Sequence, residues 1–272
     1  MRIGWGMGAL VAGLLGVWSG GAAWSERSEP ILETQEPGAS SAPAGQAELL
    51  AQFAEQGVVV DLERHSIQLQ GTLSVLYEAL EYLLVIQPQG KDYESLLYCE
   101  NVSAEALNAA MLMLGVQKGI NGRVTAADPA PTLEEIQNGA DPSVVQPASG
   151  DGFYLYVSWE EEIMGQIEAF CYRAEDLVIN ARTEGTYQRG KWVYLGSRFL
   201  KPHRDAKEFF AAQGEGNLIS LCIFEPANHL LAGADPDSDD EQVWYPNVFL
   251  LPPVGHPVRI TLTRELLTGP LQ

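Results

Sequence analysis

The sequence predicts an α+β fold in which a strand-rich scaffold carries one clear amphipathic helix and a second short helix. Three observations predict this class. Short stretches of alternating apolar and polar residues recur along the chain, as in half-buried strands. The stretch from Ala104 to Leu114 instead has the apolar spacing of a helix. Finally, 46% of the residues are hydrophobic, which is enough to build a globular core.

The first 25 residues are typical of a secretory signal peptide. Arg2 supplies a positive charge, an apolar run extends from Ile3 to Val17, and small residues follow up to Ala23. The apolar run is shorter than the roughly 20 residues that span a bilayer. We therefore expect an exported protein, secreted or periplasmic, with no membrane attachment after cleavage; a retained N-terminal anchor is the alternative.

The rest of the chain is predicted to contain a linker and one domain. Residues 26–46 are rich in Ser, Pro, Ala, Gly and Glu, a composition that favours a flexible linker. Residues 47–272 are predicted to form a globular domain. This domain divides into two possible halves, 47–127 and 153–272, joined by a proline-rich loop.

In the first half, strands are predicted at Val58–Val60, at Ile67–Gln70 and, after a turn at Pro88-Gln89-Gly90, at Tyr93–Tyr98. The stretch from Leu73 to Ile86 fits both a helical face and a buried strand.

The clear helix lies between Ser103, which can cap its N terminus, and Gly115, which can end it. Its apolar stripe consists of Leu107, Ala110, Met111 and Leu114.

The second half is predicted to begin with a hairpin. Its strands are Phe153–Trp159 and Gln166–Tyr172, with a turn near Gly165. The second, short helix is predicted at Ala174–Ile179. Further strands are predicted at Lys191–Phe199, Gly216–Phe224 and Pro257–Leu262.

The charge of the chain excludes two classes of partner. With 36 acidic and 16 basic residues, the formal net charge is −20. Nucleic acids and anionic lipid surfaces bind through positive patches, so neither is an expected partner.

The three cysteines are Cys99, Cys171 and Cys222, each in an apolar or strand-like context. We favour three buried thiols, and a Cys171–Cys222 disulfide is the alternative. Widely spaced cysteines do not provide the four thiolates that an iron–sulfur cluster normally requires.

Several blocks of the sequence resemble the YdjY-domain family. They are Leu80–Val85, Gly90–Leu96, the helix end Ala109–Gly115, Trp192–Ser197 and Gly216–Leu221, so the resemblance covers about Val58 to Leu262. It implies an exported bacterial protein of unknown activity, a group to which a ferredoxin-like label is sometimes given. It also implies that Lys91, Glu94 and Ser95 are signature positions. Tyr93 stands where the family often has His, which argues against His-dependent chemistry.

Lys91, Glu94 and Ser95 are the candidate ligand-binding residues. If Tyr93–Tyr98 is extended, Tyr93 and Ser95 share one face, while Asp92 and Glu94 share the other. A lysine and a carboxylate beside a turn can hold a polar ligand through charge-assisted hydrogen bonds. They can equally pin the turn, and the sequence leaves both roles open.

No catalytic residue, metal ligand or cofactor is predicted. His65, His203, His229 and His256 do not form a compact zinc motif. The acidic run containing Asp235, Asp237 and Asp239 resembles the start of a calcium loop but lacks its later glycine and glutamate.

The expected function is that of a non-catalytic envelope module that binds a small polar molecule, a glycan or a partner protein. Trp159, Trp192 and Trp244 are candidates for lining an aromatic cleft. The alternative is a hydrolase acting on an envelope polymer, which would need convergent titratable groups.

Overall fold

The structure, a computed structural model, describes residues 44–267. The predicted signal peptide lies outside the described residues, as does the predicted linker except for residues 44–46, which begin a helix. The helices are α1 (Ala44–Glu55), α2 (Ala104–Met113), α3 (Leu133–Gln137) and α4 (Ala211–Glu215). The strands are β1 (Val59–Asp61), β2 (Ser66–Leu73), β3 (Tyr82–Ile86), β4 (Ser95–Cys99), β5 (Arg123–Ala126), β6 (Ser143–Gln146), β7 (Gly152–Ile163), β8 (Gln166–Arg173), β9 (Val178–Asn180), β10 (Trp192–Tyr194), β11 (Phe199–Leu200), β12 (Phe209–Phe210), β13 (Asn217–Ser220), β14 (Leu231–Ala232), β15 (Trp244–Pro246) and β16 (Pro257–Thr263).

Eight of these strands form one closed sheet. Their order around the ring is β2, β16, β7, β10, β14, β13, β3 and β4, and β4 pairs with β2 to close it. The β3–β4 and β13–β14 pairs are parallel, and the other pairs in the ring are antiparallel. β1 and β8 attach to β2 and β7 outside the ring.

The predicted α+β class was wrong, because the architecture is this closed β-sheet with few and short helices. The ring depends on pairings between strands far apart in the chain, such as β2 with β16. Local periodicity cannot reveal such pairings. The predicted helix at Ala174–Ile179 is instead a 3₁₀ turn, Ala174–Leu177, followed by β9.

The interior of the ring is packed with aliphatic side chains from alternate positions of its strands. They include Ile67, Leu69, Leu155, Val157, Ile260 and Leu262, all at most 1% exposed. Strand β3 is buried at every position, because it also supports the apolar cluster that contains α2.

Two local predictions are confirmed. Helix α2 begins after Ser103, whose hydroxyl accepts a hydrogen bond from the backbone N–H of Ala106. The β7–β8 hairpin turns at Met164 and Gly165, and both have positive φ, as a type I′ turn requires. β7 continues past its ring partners, so the tip of this hairpin projects beyond the closed sheet.

Other segments are shorter or more ordered than predicted. The stretch Lys191–Phe199 contains β10 and only the first residue of β11, and Gly216–Phe224 contains only β13. The proline-rich stretch contains α3 and β6, which pairs with β5. Among residues 44–267, no helix has both the length and the apolar character needed to cross a membrane.

Candidate functional site

The predicted residues Lys91 and Glu94 meet at a turn between two parallel strands. Lys91 Nζ donates a hydrogen bond to Glu94 Oε2 at 2.8 Å and another to Glu81 Oε2 at 2.9 Å. Residues Asp92–Glu94 form a 3₁₀ turn rather than an extended strand, so the predicted division of this segment into two strand faces was wrong.

The register of the parallel pair explains the arrangement. Tyr82 of β3 lies beside Ser95 of β4, so the preceding residues, Glu81 and Glu94, enter the sheet side by side. Two neighbouring carboxylates repel each other, and Lys91 lies between them. Partial burial alone lowers the pKa of Lys91, but its hydrogen bonds with Glu94 and Glu81 outweigh burial and raise that pKa.

Ser95 has a different environment. Its side chain is fully buried, and its hydroxyl donates to the backbone carbonyl of Leu97 at 2.8 Å. The structure therefore brings Lys91 and Glu94 together and directs Ser95 into the protein. Ligand binding by these three residues stays a prediction. Glu81 was missed because it is ten residues from Lys91 and arrives from another strand.

A second candidate site is a groove on the outer face of the closed sheet, which we call the outer groove. It consists of two open pockets of about 390 and 450 Å³. Gln70 and Pro257 line both pockets. One pocket extends over β16, β7 and β8, and the other extends over β2 toward α1 and the end of β4.

The wall of the outer groove contains a row of polar side chains from four adjacent strands. Gln70, Arg259, Ser158 and Cys171 are successive cross-strand neighbours in the sheet register. Arg259 forms no ion pair with the other described residues. Its guanidinium group is thus free to receive a carboxylate in the two-point geometry that arginine favours.

Of the three tryptophans predicted to line an aromatic cleft, only Trp159 lies at the outer groove. Trp192 and Trp244 are core residues, 1% and 0% exposed, so neither can contact a ligand at the surface. Trp159 does line the outer groove, but it is stacked on Phe170 with ring centroids 5.6 Å apart and is 6% exposed. The groove is therefore lined by polar and apolar groups together, with aromatic rings beneath it.

The acidic loop is held by contacts within the protein. Asp237 pairs with Arg182 at 2.9 Å and accepts a hydrogen bond from Asn180 at 2.7 Å. Asp235 accepts hydrogen bonds from the backbone N–H groups of Gln188 and Asp237. Within residues 44–267, no group of three or more His, Cys, Asp or Glu side chains is placed to hold a metal ion.

The cysteines are free thiols in two kinds of environment. Cys99 and Cys222 are buried as predicted. The prediction of a third buried thiol was wrong, because Cys171 is exposed in the outer groove. Among the described strands, its strand β8 pairs only with β7 and gains no cover from a further strand.

The fold and these sites define a class of protein: a closed β-sheet with an open groove of mixed polar and apolar lining on its outer face and a charged turn at one edge. Residues 58–263 match the family model of the YdjY domain, and the chain belongs to this family. The resemblance found in the sequence blocks is thus confirmed. No curated protein and no solved structure matches the chain significantly.

Proposed function

We propose that the protein is a non-catalytic binding module whose outer groove takes a glycan segment that carries a carboxylate. The observation that carries the proposal is Arg259, which has no ion-pair partner within the described residues and lies between Gln70 and Ser158. A guanidinium group can bind a carboxylate through two parallel hydrogen bonds, and neighbouring amide and hydroxyl groups can bind sugar hydroxyls.

The size and lining of the outer groove support a small extended ligand. Each pocket lies within the volume range of ordinary small-molecule sites. Further polar groups along the groove come from Gln68, Thr72 and Asn101. The net charge of −20 disfavours a polyanion, so a ligand with a single carboxylate fits better.

The thiol of the groove supports binding rather than hydrolysis by a cysteine nucleophile. Cys171 is the thiol nearest Arg259 in the cross-strand row, and partial burial raises its pKa. A raised pKa keeps this thiol protonated near neutral pH, and the thiolate is the nucleophilic form.

Two related disaccharides test the proposal. N-acetylglucosaminyl-N-acetylmuramic acid carries one carboxylate, and its uncharged relative N,N′-diacetylchitobiose carries none. In calorimetric titrations of the full chain, we expect the acidic disaccharide to bind more tightly. Arg259→Gln should weaken that binding at least tenfold.

Arg64→Gln is the matched control, because the Arg64 side chain is 68% exposed and is not among the groove residues. It should leave the affinity unchanged. Equal binding of both disaccharides, absence of binding, or an unaffected Arg259→Gln variant would contradict the proposal.

We further propose that the module acts outside the cytoplasm, on the strength of the signal-like pattern in residues 1–25. N-terminal analysis of protein expressed in a bacterial host should find a mature start between Trp24 and Glu26 in the exported fraction. Intact Met1 in the membrane fraction would instead support the retained anchor.

A further inference from the structure

The free edge of β8 is an unusual feature of this sheet. β8 pairs with β7 on one side, and no other described strand pairs with it. It is eight residues long, and all of its residues are exposed or half-buried. A long exposed edge presents unpaired backbone N–H and C=O groups, which can pair with an additional strand.

The register identifies which backbone groups are available. The two-residue turn is closed by the Ile163–Gln166 pair, which in this hairpin type is a hydrogen-bonded pair. Hydrogen-bonded and non-hydrogen-bonded pairs alternate along the ladder. The N–H and C=O groups of Ile167, Ala169 and Cys171 therefore point to the free edge.

The charges of the hairpin indicate what kind of strand can pair there. Glu160, Glu161 and Glu162 lie on β7, and Glu168 lies directly opposite Glu161 on β8. Like charges opposite each other in an antiparallel pair are destabilising. None of these four carboxylates forms an ion pair within residues 44–267. A basic side chain placed beside Glu161 and Glu168 would relieve this repulsion.

On the other face, Glu162 and Glu160 of β7 lie opposite Ile167 and Ala169, but these residues of β8 are themselves uncharged. Ile167, which is 73% exposed, and Ala169 and Cys171 point away from the face that carries Glu161 and Glu168. A strand added to β8 would thus place side chains beside Glu168 on one face and beside Ile167, Ala169 and Cys171 on the other, where the carboxylates of Glu160 and Glu162 lie one strand further away.

We propose that the free edge of β8 binds an extended segment of another protein in which basic and apolar residues alternate. The segment adds as a further strand, with main-chain hydrogen bonds to Ile167, Ala169 and Cys171. A second copy of this chain is disfavoured, because it would bring another acidic hairpin to the same edge. Residues 26–43 are also poorly suited, since they contain Glu26, Glu29, Glu33 and Glu36 but only one basic residue, Arg27.

The experiment uses two capped seven-residue peptides, one alternating Lys and Val and the other alternating Glu and Val. Titrated into the full chain, the Lys–Val peptide should bind, with an affinity that falls as salt is added. The Glu–Val peptide should bind at least tenfold more weakly.

Variants of the protein separate main-chain hydrogen bonding at the edge of β8 from simple charge attraction to its glutamates. Ala169→Pro removes one N–H from the free edge without removing a hydrogen bond to β7, and it should weaken binding at least tenfold. Ala169→Val keeps that N–H and should bind as the unaltered chain does. Glu161→Gln with Glu168→Gln should weaken binding several-fold.

If Ala169→Pro does not fold, a Lys–Val peptide methylated at alternate backbone nitrogens gives the same test without altering the protein. Binding that survives this methylation, or equal binding of both peptides, would overturn the proposal. Concentration-dependent dimers that Ala169→Pro abolishes would also overturn it, since the occupant would then be a second copy of the chain.

Discussion

Asp151 and Arg264 form a two-point ion pair that joins the start of β7 to the end of β16. The distances are 2.6 Å from Nη2 to Oδ2 and 3.0 Å from Nη1 to Oδ1. Asp151 also accepts a hydrogen bond from Lys191, which precedes β10. One carboxylate thus connects three neighbouring strands of the ring, and the Arg264 hydrogen bond, although opposed by burial, holds its pKa well below the usual range.

We predict that Asp151→Asn lowers stability mainly above pH 4. The folded-state pKa of Asp151 is depressed, so its contribution is present above the unfolded pKa of about 4 and is lost as the pH falls. The expected loss near neutral pH is on the order of 2 kcal/mol, because a charge-assisted pair is broken. Urea unfolding from pH 2 to 7 measures it. Glu63→Gln is the control, and equal pH profiles for Asp151→Asn and the unaltered chain would refute the prediction.

Lys91 is predicted to stabilise the entry of β3 and β4 into the sheet. Lys91→Met should lower the free energy of unfolding by about 1 kcal/mol, a modest value because the lysine side chain is 44% exposed. Burial raises the pKa of Glu81 and so disfavours its charged form in the folded protein, and Glu81→Gln should therefore cost no more than Glu94→Gln although Glu81 is the less exposed of the two, 16% against 31%.

A double-mutant cycle in thermal melts checks this role. Lys91→Met combined with Glu81→Gln should be less destabilising than the sum of the single changes, because both remove the same contact. Strict additivity, or unchanged melting in each single variant, would instead make the Lys91 turn the first place to seek a ligand.

His229 is predicted to make the protein less stable in mild acid. It is 2% exposed, its Nε2 atom has no hydrogen-bond partner within the described residues, and burial lowers its pKa to about 4. The unfolded state binds a proton near pH 6.5, so stability falls as the pH drops from 6.5 toward 4. The total loss from this group is on the order of 3 kcal/mol.

His229→Phe should flatten the dependence of stability on pH between 4 and 6.5, whatever its effect at pH 7. Denaturant unfolding of both proteins across this range gives the two slopes. Parallel slopes would show that His229 is not the titrating group. This pH range lies above the range in which the contribution of Asp151 to stability is lost, so the two predictions can be separated.

The thiols are predicted to differ in reactivity. Cys171 is exposed, whereas Cys99 and Cys222 are 1% and 2% exposed, and burial raises the pKa of Cys99 to about 12. A thiol reagent such as DTNB at pH 8 should therefore modify one thiol per chain in the folded protein and all three after unfolding. Cys171→Ser should abolish the native reaction. Rapid modification of a second thiol would contradict the packing around Cys99 and Cys222.

Local signals predicted the parts of the fold that local contacts form. Ser103 and Gly115 delimited α2, and alternation with Gly165 located the β7–β8 hairpin. Closure of the ring was not predictable in this way. The β2–β16 and β2–β4 pairings join strands that are separated in the chain, and no local pattern in either strand identifies its partner.

The same distinction applies to the sites. Lys91 and Glu94 were found because they are three residues apart in one turn, but Glu81 was not. Gln70, Ser158 and Arg259 each occupy an ordinary polar position in a strand. They become neighbours only when β2, β16 and β7 align, so a single sequence could indicate that they face outward but not that they meet.

Amide chemical-shift mapping tests the central claim, that the outer groove is the ligand site, most directly. On addition of N-acetylglucosaminyl-N-acetylmuramic acid to the isotopically labelled chain, the largest shifts should fall on β2, β16 and β7 around Gln70, Arg259 and Ser158. They should disappear in Arg259→Gln. Shifts concentrated at residues 90–95, or no saturable shifts at millimolar ligand, would contradict the account.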